Sequence, residues 1–155
     1  MPSRNEAIAA AQDLIDSNRF RDRLAGLVAI PSTSQDAAFA KDVDRYLGDA
    51  IRPWLEAMGF AVSIHPNPTA GFGPILVAER IEDAGLPTVL TYGHGDTVRG
   101  LEDQWRKGLD PWTLTEEGDL WYGRGTADNK GQHALNLSAL EVVLAQRGGK
   151  LGYNL

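Results

Sequence analysis

The segment Thr91-Tyr92-Gly93-His94-Gly95-Asp96-Thr97-Val98 constrains this chain more than any other. It closes an apolar run, Pro87 to Tyr92, whose length and β-branched content predict a buried strand. His94 and Asp96 then lie just past the C-terminal end of a strand, where open α/β sheets bind ligands. Residues i and i+2 of an extended segment point to the same side, so Asp96 can reach the ring nitrogen of His94 that a metal would leave free. A carboxylate there fixes the tautomer and makes the imidazole a better ligand. A second segment, Trp121-Tyr122-Gly123-Arg124-Gly125-Thr126-Ala127-Asp128-Asn129-Lys130-Gly131, sets Asp128 where a glycine-rich loop passes into a helix. Histidine with carboxylate suits zinc or a similar ion. Each motif alone has a plainer reading: His-x-Asp is often an ordinary polar pair, and an aspartate before a helix is often its N-cap.

The elements around these motifs follow from spacing. Ser3 and Glu6 form a capping box for a first helix through Leu14, with Ile8, Ala11 and Ile15 at helical spacing. Phe20, Leu24, Leu27 and Val28 predict a second helix that Pro31 ends. Pro31-Ser32-Thr33-Ser34 reads as a turn, or equally as N-cap chemistry for the helix that follows. Phe39, Val43, Leu47, Ile51, Trp54, Leu55 and Met58 predict a long amphipathic helix capped by Gly59, with Pro53 imposing a kink or restart near Arg52.

Phe60 to His65 alternates as a half-buried strand, with His65 an exposed turn residue, and Pro74 to Glu79 gives a second strand. Thr88 to Tyr92 is expected to be the third and most buried one. Arg99 to Gly118 is a long irregular connection containing Trp105 and Trp112, which either lines a cleft or is packed down by its aromatics. Thr113–Thr115 and Leu120–Tyr122 predict a hairpin. Lys130 to Gln146 predicts a buried last helix, and Lys150 to Leu155 the opening of another strand.

At 155 residues the chain has one domain's worth of sequence, able to bury roughly two thirds of its unfolded surface. Net charge is −6 with no basic run, which argues against nucleic acid or an anionic membrane as partner. No apolar stretch reaches the roughly twenty residues of a membrane span, and Met1 to Glu6 is too polar for a signal peptide, so a cytoplasmic protein is expected. Without cysteine, neither disulfides nor thiolate ligands nor a thiol nucleophile enter. The remaining metal-ligating types are the acids and His65, His94 and His133.

Gly93-His94-Gly95-Asp96-Thr97-Val98, Trp105, Asp110-Pro111-Trp112 and Leu120 to Gly131 together resemble the dinuclear-zinc aminoacylase and carboxypeptidase family. That family includes acetylornithine deacetylase, succinyl-diaminopimelate desuccinylase and carnosine-type dipeptidases. The resemblance is strongest from Val89 to Leu140 and weak before Leu76. It implies an α/β fold of zinc-peptidase type, three-layered, with helices flanking a mixed, mostly parallel sheet. Residues 1–155 would be the N-terminal part of the catalytic domain, with its C-terminal half and the lid or dimerisation domain absent, and the full-length form a homodimer.

The implied reaction is hydrolysis of an amide or peptide bond in a small-molecule substrate. Two divalent ions, zinc with cobalt or manganese as alternatives, polarise the carbonyl and activate a water, and a glutamate acts as base. Position by position, His94 becomes a ligand of one metal, Asp128 the bridging ligand and Asp96 the orienter of His94, with a cis peptide between Asp128 and Asn129.

The expected general-base glutamates, third carboxylate and last histidine have no counterparts in this sequence. After Asp128 the only acid is Glu141, about 20 Å along its helix from the N-terminal end. His133 matches no family ligand and is expected on the helix surface. With two ligands the chain is expected to bind metal weakly or not at all and to be inactive alone. The alternative is a non-catalytic α/β module serving structure or partner binding.

Overall fold

The computed structural model describes residues 3–155, so Met1 and Pro2 of the polar start lie outside the described residues. Helix α1, Arg4–Asp16, begins on the expected capping box: the Glu6 amide donates to Ser3 Oγ, and the Glu6 carboxylate accepts from the Ser3 amide. Asn18, in the left-handed region at φ 61°, turns the chain into α2, Arg19–Val28. Leu24, Leu27 and Val28 are buried there, as their spacing predicts. In α1 the buried residue is Leu14, while Ile8 and Ile15 are exposed, so the expected apolar stripe is not the packed one.

The long amphipathic stretch is helical in three registers. A 3-10 turn at Ala37–Phe39, capped by Asp36 Oδ1 accepting from the Ala38 amide, leads into α3, Ala40–Arg45. A π-helical turn, Tyr46–Ile51, follows, and then α4, Arg52–Ala57, with Pro53 in its first turn. Proline offers no N–H to the carbonyl four residues back and crowds it. The chain accommodates Pro53 by widening the preceding turn rather than by breaking. Gly59 then closes the helix at φ 80°.

Strands β1, Ala61–His65, and β2, Ile75–Glu79, pair antiparallel from Ala61↔Glu79 to His65↔Ile75. Val62, Leu76 and Ala78 pack against the core while alternate residues face out. That core joins Leu24, Leu27 and Val28 of α2 to Tyr46, Ile51, Leu55, Met58 and Phe60, and to Ala134 and Leu144 of α5, Lys130–Gln146. Helix α5 buries one face (Lys130, Ala134, Ser138, Leu144) and leaves Leu135 exposed, so it is not enclosed on all sides. Strands β3, Thr115–Glu117, and β4, Leu120–Tyr122, form the expected hairpin two residues later than its first strand was placed. Gly118 takes φ 60° at the first turn position.

Lys150 to Leu155 forms no regular strand, and its extended pairing is limited to the last two residues. Arg80 and Leu155 exchange both backbone hydrogen bonds (2.8 and 3.1 Å), and Thr88 makes a parallel bridge to Asn154. The α/β class therefore holds. The regular strand pairs here are antiparallel, however, and parallel pairing is confined to single bridges, so a mostly parallel sheet is not displayed by these residues. The expectation that Thr88–Tyr92 is the most buried strand is corrected: Leu90 is 95% and Tyr92 91% exposed. Asn154 borders this segment on one side only, and no described residue pairs with Leu90 to Tyr92. A strand is buried by what lies beside and over it, and hydrophobicity alone supplies neither.

Candidate metal centre

Two loops converge on one point. The first, Gly93–Thr97, is fastened from below by the Pro31–Ser34 turn. The Thr97 amide donates to the Ser32 carbonyl (2.8 Å), Thr33 and Thr97 form a parallel bridge, and Ser32 Oγ donates to the Gly95 carbonyl (2.7 Å). Ser34 Oγ donates to Asp96 Oδ2. The N-cap of the next helical segment is Asp36, so the serines serve the His94 loop and not the helix.

The second loop, Gly123–Asn129, is shaped by its glycines. Gly125 takes φ 86°, the Gly131 amide donates to the Gly125 carbonyl (3.0 Å), and a Cβ on Gly131 would meet the Thr126 oxygen at 1.8 Å. Arg124 fixes the outer side: its amide donates to the Pro111 carbonyl and its guanidinium donates to the Gly100 carbonyl and lies over Trp105. The peptide between Asp128 and Asn129 is cis, as the resemblance implies. Asn129, not Asp128, holds the N-cap position of α5, which leaves the Asp128 carboxylate free to point outward.

At the convergence, His94 Nε2 stands 2.8 Å from Asp128 Oδ1, while Nδ1 faces Asp96 Oδ1 at 3.0 Å. His94 and Asp96 are each 38% exposed and Asp128 is 77% exposed. Partial burial pulls the His94 pKa down, but the bonds to Asp128 and Asp96 together outweigh it and hold the imidazole above its ordinary value. The structure thus brings His94, Asp96 and Asp128 together, with one carboxylate at each ring nitrogen.

The donor set fits one side of a metal site. Nε2 and the Asp128 oxygen converge where a cation would take both, and Asp96 holds the other nitrogen. Among the described residues there is no group of three or more His, Cys, Asp or Glu able to hold a metal, so the set stays short of the three or four ligands of a complete zinc site. Glu141 is elsewhere, in a two-pronged pair with Arg23 at 2.5 and 3.0 Å.

Four residues beneath the site escaped sequence reasoning. Ser32 and Ser34 had a signal, a polar turn directly after an apolar helix end. Tyr46 and His133 had none. His133 is not on the helix surface as expected: its Nδ1 lies 2.8 Å from the Tyr46 hydroxyl, and the two rings stack at 5.9 Å. Burial pushes Tyr46 well above the usual phenol range, so it donates, and burial, with the charge of His94 adding, pulls His133 down. Lys130, also fully buried, donates to the Ile30 carbonyl and lies between the Tyr46 and Trp112 rings. In the irregular connection, Arg99 to Gln104 line a depression of about 280 Å³ with Thr33, Asp36 and Phe39. Trp105 and Trp112 are packed down, their indole N–H groups donating to the Gly100 carbonyl and to Glu102.

Residues 90–152, which hold both loops, match the model of Peptidase family M20/M25/M40. Over those residues the chain is similar to these peptidases. Acetylornithine deacetylase from Proteus mirabilis is 39% identical over 118 residues, covering 76% of this chain and 29% of that protein. The Yersinia pestis enzyme of the same name is 35% identical over 124 residues. Human carnosine dipeptidase 1 superposes with a TM-score of 0.78 at 27% identity, over 94% of this chain and 32% of that one. The dipeptidase Dug1p of Saccharomyces cerevisiae shares the fold, with a TM-score of 0.79 at 24% identity, over 97% and 33% of the two chains. These proteins are thus matched over about a third of their length or less. Among the described residues no helix is long and apolar enough to cross a membrane.

Proposed function

We propose that these residues carry part of the active site of a metal-dependent hydrolase that cleaves the amide bond of an N-acyl amino acid or a dipeptide. The observation that carries this reading is the approach of His94 Nε2 to Asp128 Oδ1 at 2.8 Å, with Asp96 on Nδ1. His94 and Asp128 would hold divalent cations, zinc by the chemistry of imidazole and carboxylate. Bound there, the cations would polarise the scissile carbonyl and lower the pKa of a water. Asp96 keeps the His94 ring in the orientation and tautomer that present Nε2, and Ser34 keeps Asp96 in place. The substrate class follows from the names of the relatives, which are deacetylases and dipeptidases.

Among the described residues no group of three or more His, Cys, Asp or Glu could hold a metal, so the chain by itself should hydrolyse no amide. Zinc titrated into the purified chain should bind weakly at the converging pair, and His94→Ala or Asp128→Ala should each lower its affinity at least tenfold. Zinc uptake equal in wild type and both variants would sink the assignment. Hydrolysis of an acylated amino acid by the 155-residue chain, abolished by His94→Ala, would instead sink the claim that the site is partial.

A further inference from the structure

The two glycines flanking His94 rest on a pair of side chains that no motif includes. A Cβ on Gly93 would lie 2.3 Å from His133 Nε2, and one on Gly95 would lie 2.8 Å from Tyr46 Cδ1 and 3.0 Å from Leu47 Cδ2. The backbone on both sides of His94 therefore lies directly on the rings of His133 and Tyr46. Those rings are locked to each other by the hydroxyl-to-Nδ1 bond at 2.8 Å and by stacking. Tyr46 is fully buried, and it stands at the first position of the π-helical turn, a local widening that is often found at functional sites. His133 comes from the first turn of α5, four residues after Asn129. The pair thus ties the helix that follows Asp128 to the loop that carries His94.

We propose that Tyr46 and His133 are positioning residues. They set the height of the Gly93–Gly95 loop and so the distance between His94 Nε2 and Asp128. The claim rests on the metal-site reading for its functional meaning, though not for its geometry. Neither residue touches the reacting centre. Tyr46 supplies a flat surface and a fixed hydroxyl, and His133 supplies the contact to Gly93 and turns with Tyr46 as a unit. A side chain at position 93 or 95 would collide with this surface, which accounts for both glycines.

The test uses the whole chain labelled with nitrogen-15, first without metal and then with Co²⁺ alone. In the metal-free protein, Tyr46→Phe and His133→Ala should each shift the amide resonances of Gly93 and Gly95 and leave those of Gly71 and Gly118, in remote turns, in place. His133→Asn puts an amide nitrogen or oxygen where Nδ1 stood and should return Gly95 towards its wild-type position. Cobalt affinity should fall about tenfold in Tyr46→Phe and His133→Ala and recover in part in His133→Asn. Gly93 and Gly95 resonances unmoved in both variants, or movement of all four glycines together, would overturn the proposal. A wild type that binds no cobalt while the variants still move Gly93 and Gly95 would overturn the metal reading above and uphold the positioning role.

Discussion

The hydroxyl of Ser32 donates to the carbonyl of Gly95 at 2.7 Å, across 63 residues of sequence, and Ser32 is fully buried. A turn at the end of α2 therefore holds the loop that presents His94. Ser32→Ala leaves the carbonyl without that donor and should cost roughly 1–2 kcal/mol. Urea unfolding of the two proteins checks this, and an unchanged midpoint with an unchanged slope would count against it.

Gly131 has no room for a methyl group, with the Thr126 carbonyl oxygen 1.8 Å from where its Cβ would stand. Because that oxygen is backbone, it yields only if the Gly123–Asp128 loop moves. Gly131→Ala should cost about 2 kcal/mol or more and displace Asp128 as well. Thermal unfolding measures the first effect and zinc titration the second. Wild-type values in both would show that the loop is softer than its packing suggests.

Glu141 pairs with Arg23 on the far part of α5, where both side chains are partly exposed to solvent. Glu141→Gln should lower stability by less than about 1 kcal/mol and leave zinc affinity untouched. A large drop in zinc affinity would place Glu141 in the site after all.

Glu82 accepts from the Leu151 and Gly152 amides at 2.6 and 2.9 Å. These bonds, with Arg80 assisting, outweigh burial and hold its carboxyl below the ordinary value of 4.5. The unfolded chain then takes up the proton first as pH falls. The stabilisation from Glu82 is complete above pH 4.5 and disappears as pH drops through the lower folded-state value. Glu82→Gln should flatten this part of the acid limb of a stability-versus-pH curve, and parallel curves for the two proteins would contradict the account.

Local chemistry made much of this protein legible. A capping box, the spacing of Leu24, Leu27 and Val28, the alternation around Val62, and Pro53 with Gly59 are interactions within a few residues of chain, so sequence by itself determined those elements. His94 with Asp96 is legible for the same reason, since two residues of extended backbone fix their relation. The meeting of His94 with Asp128 could be stated from family resemblance, and the fold brings them together across 34 residues.

Tertiary structure alone decided the rest. The exposure of Leu90 and Tyr92 depends on which neighbours the sheet provides, which hydrophobicity does not encode. The roles of Ser32, Tyr46 and His133 arise because α2, the π-helical turn and α5 pack against one loop. Tyrosine and histidine have no spacing that announces such contacts, and the polar turn that holds Ser32 does not name its partner. Their partners are chosen by how helices pack, and that choice is made by the core as a whole.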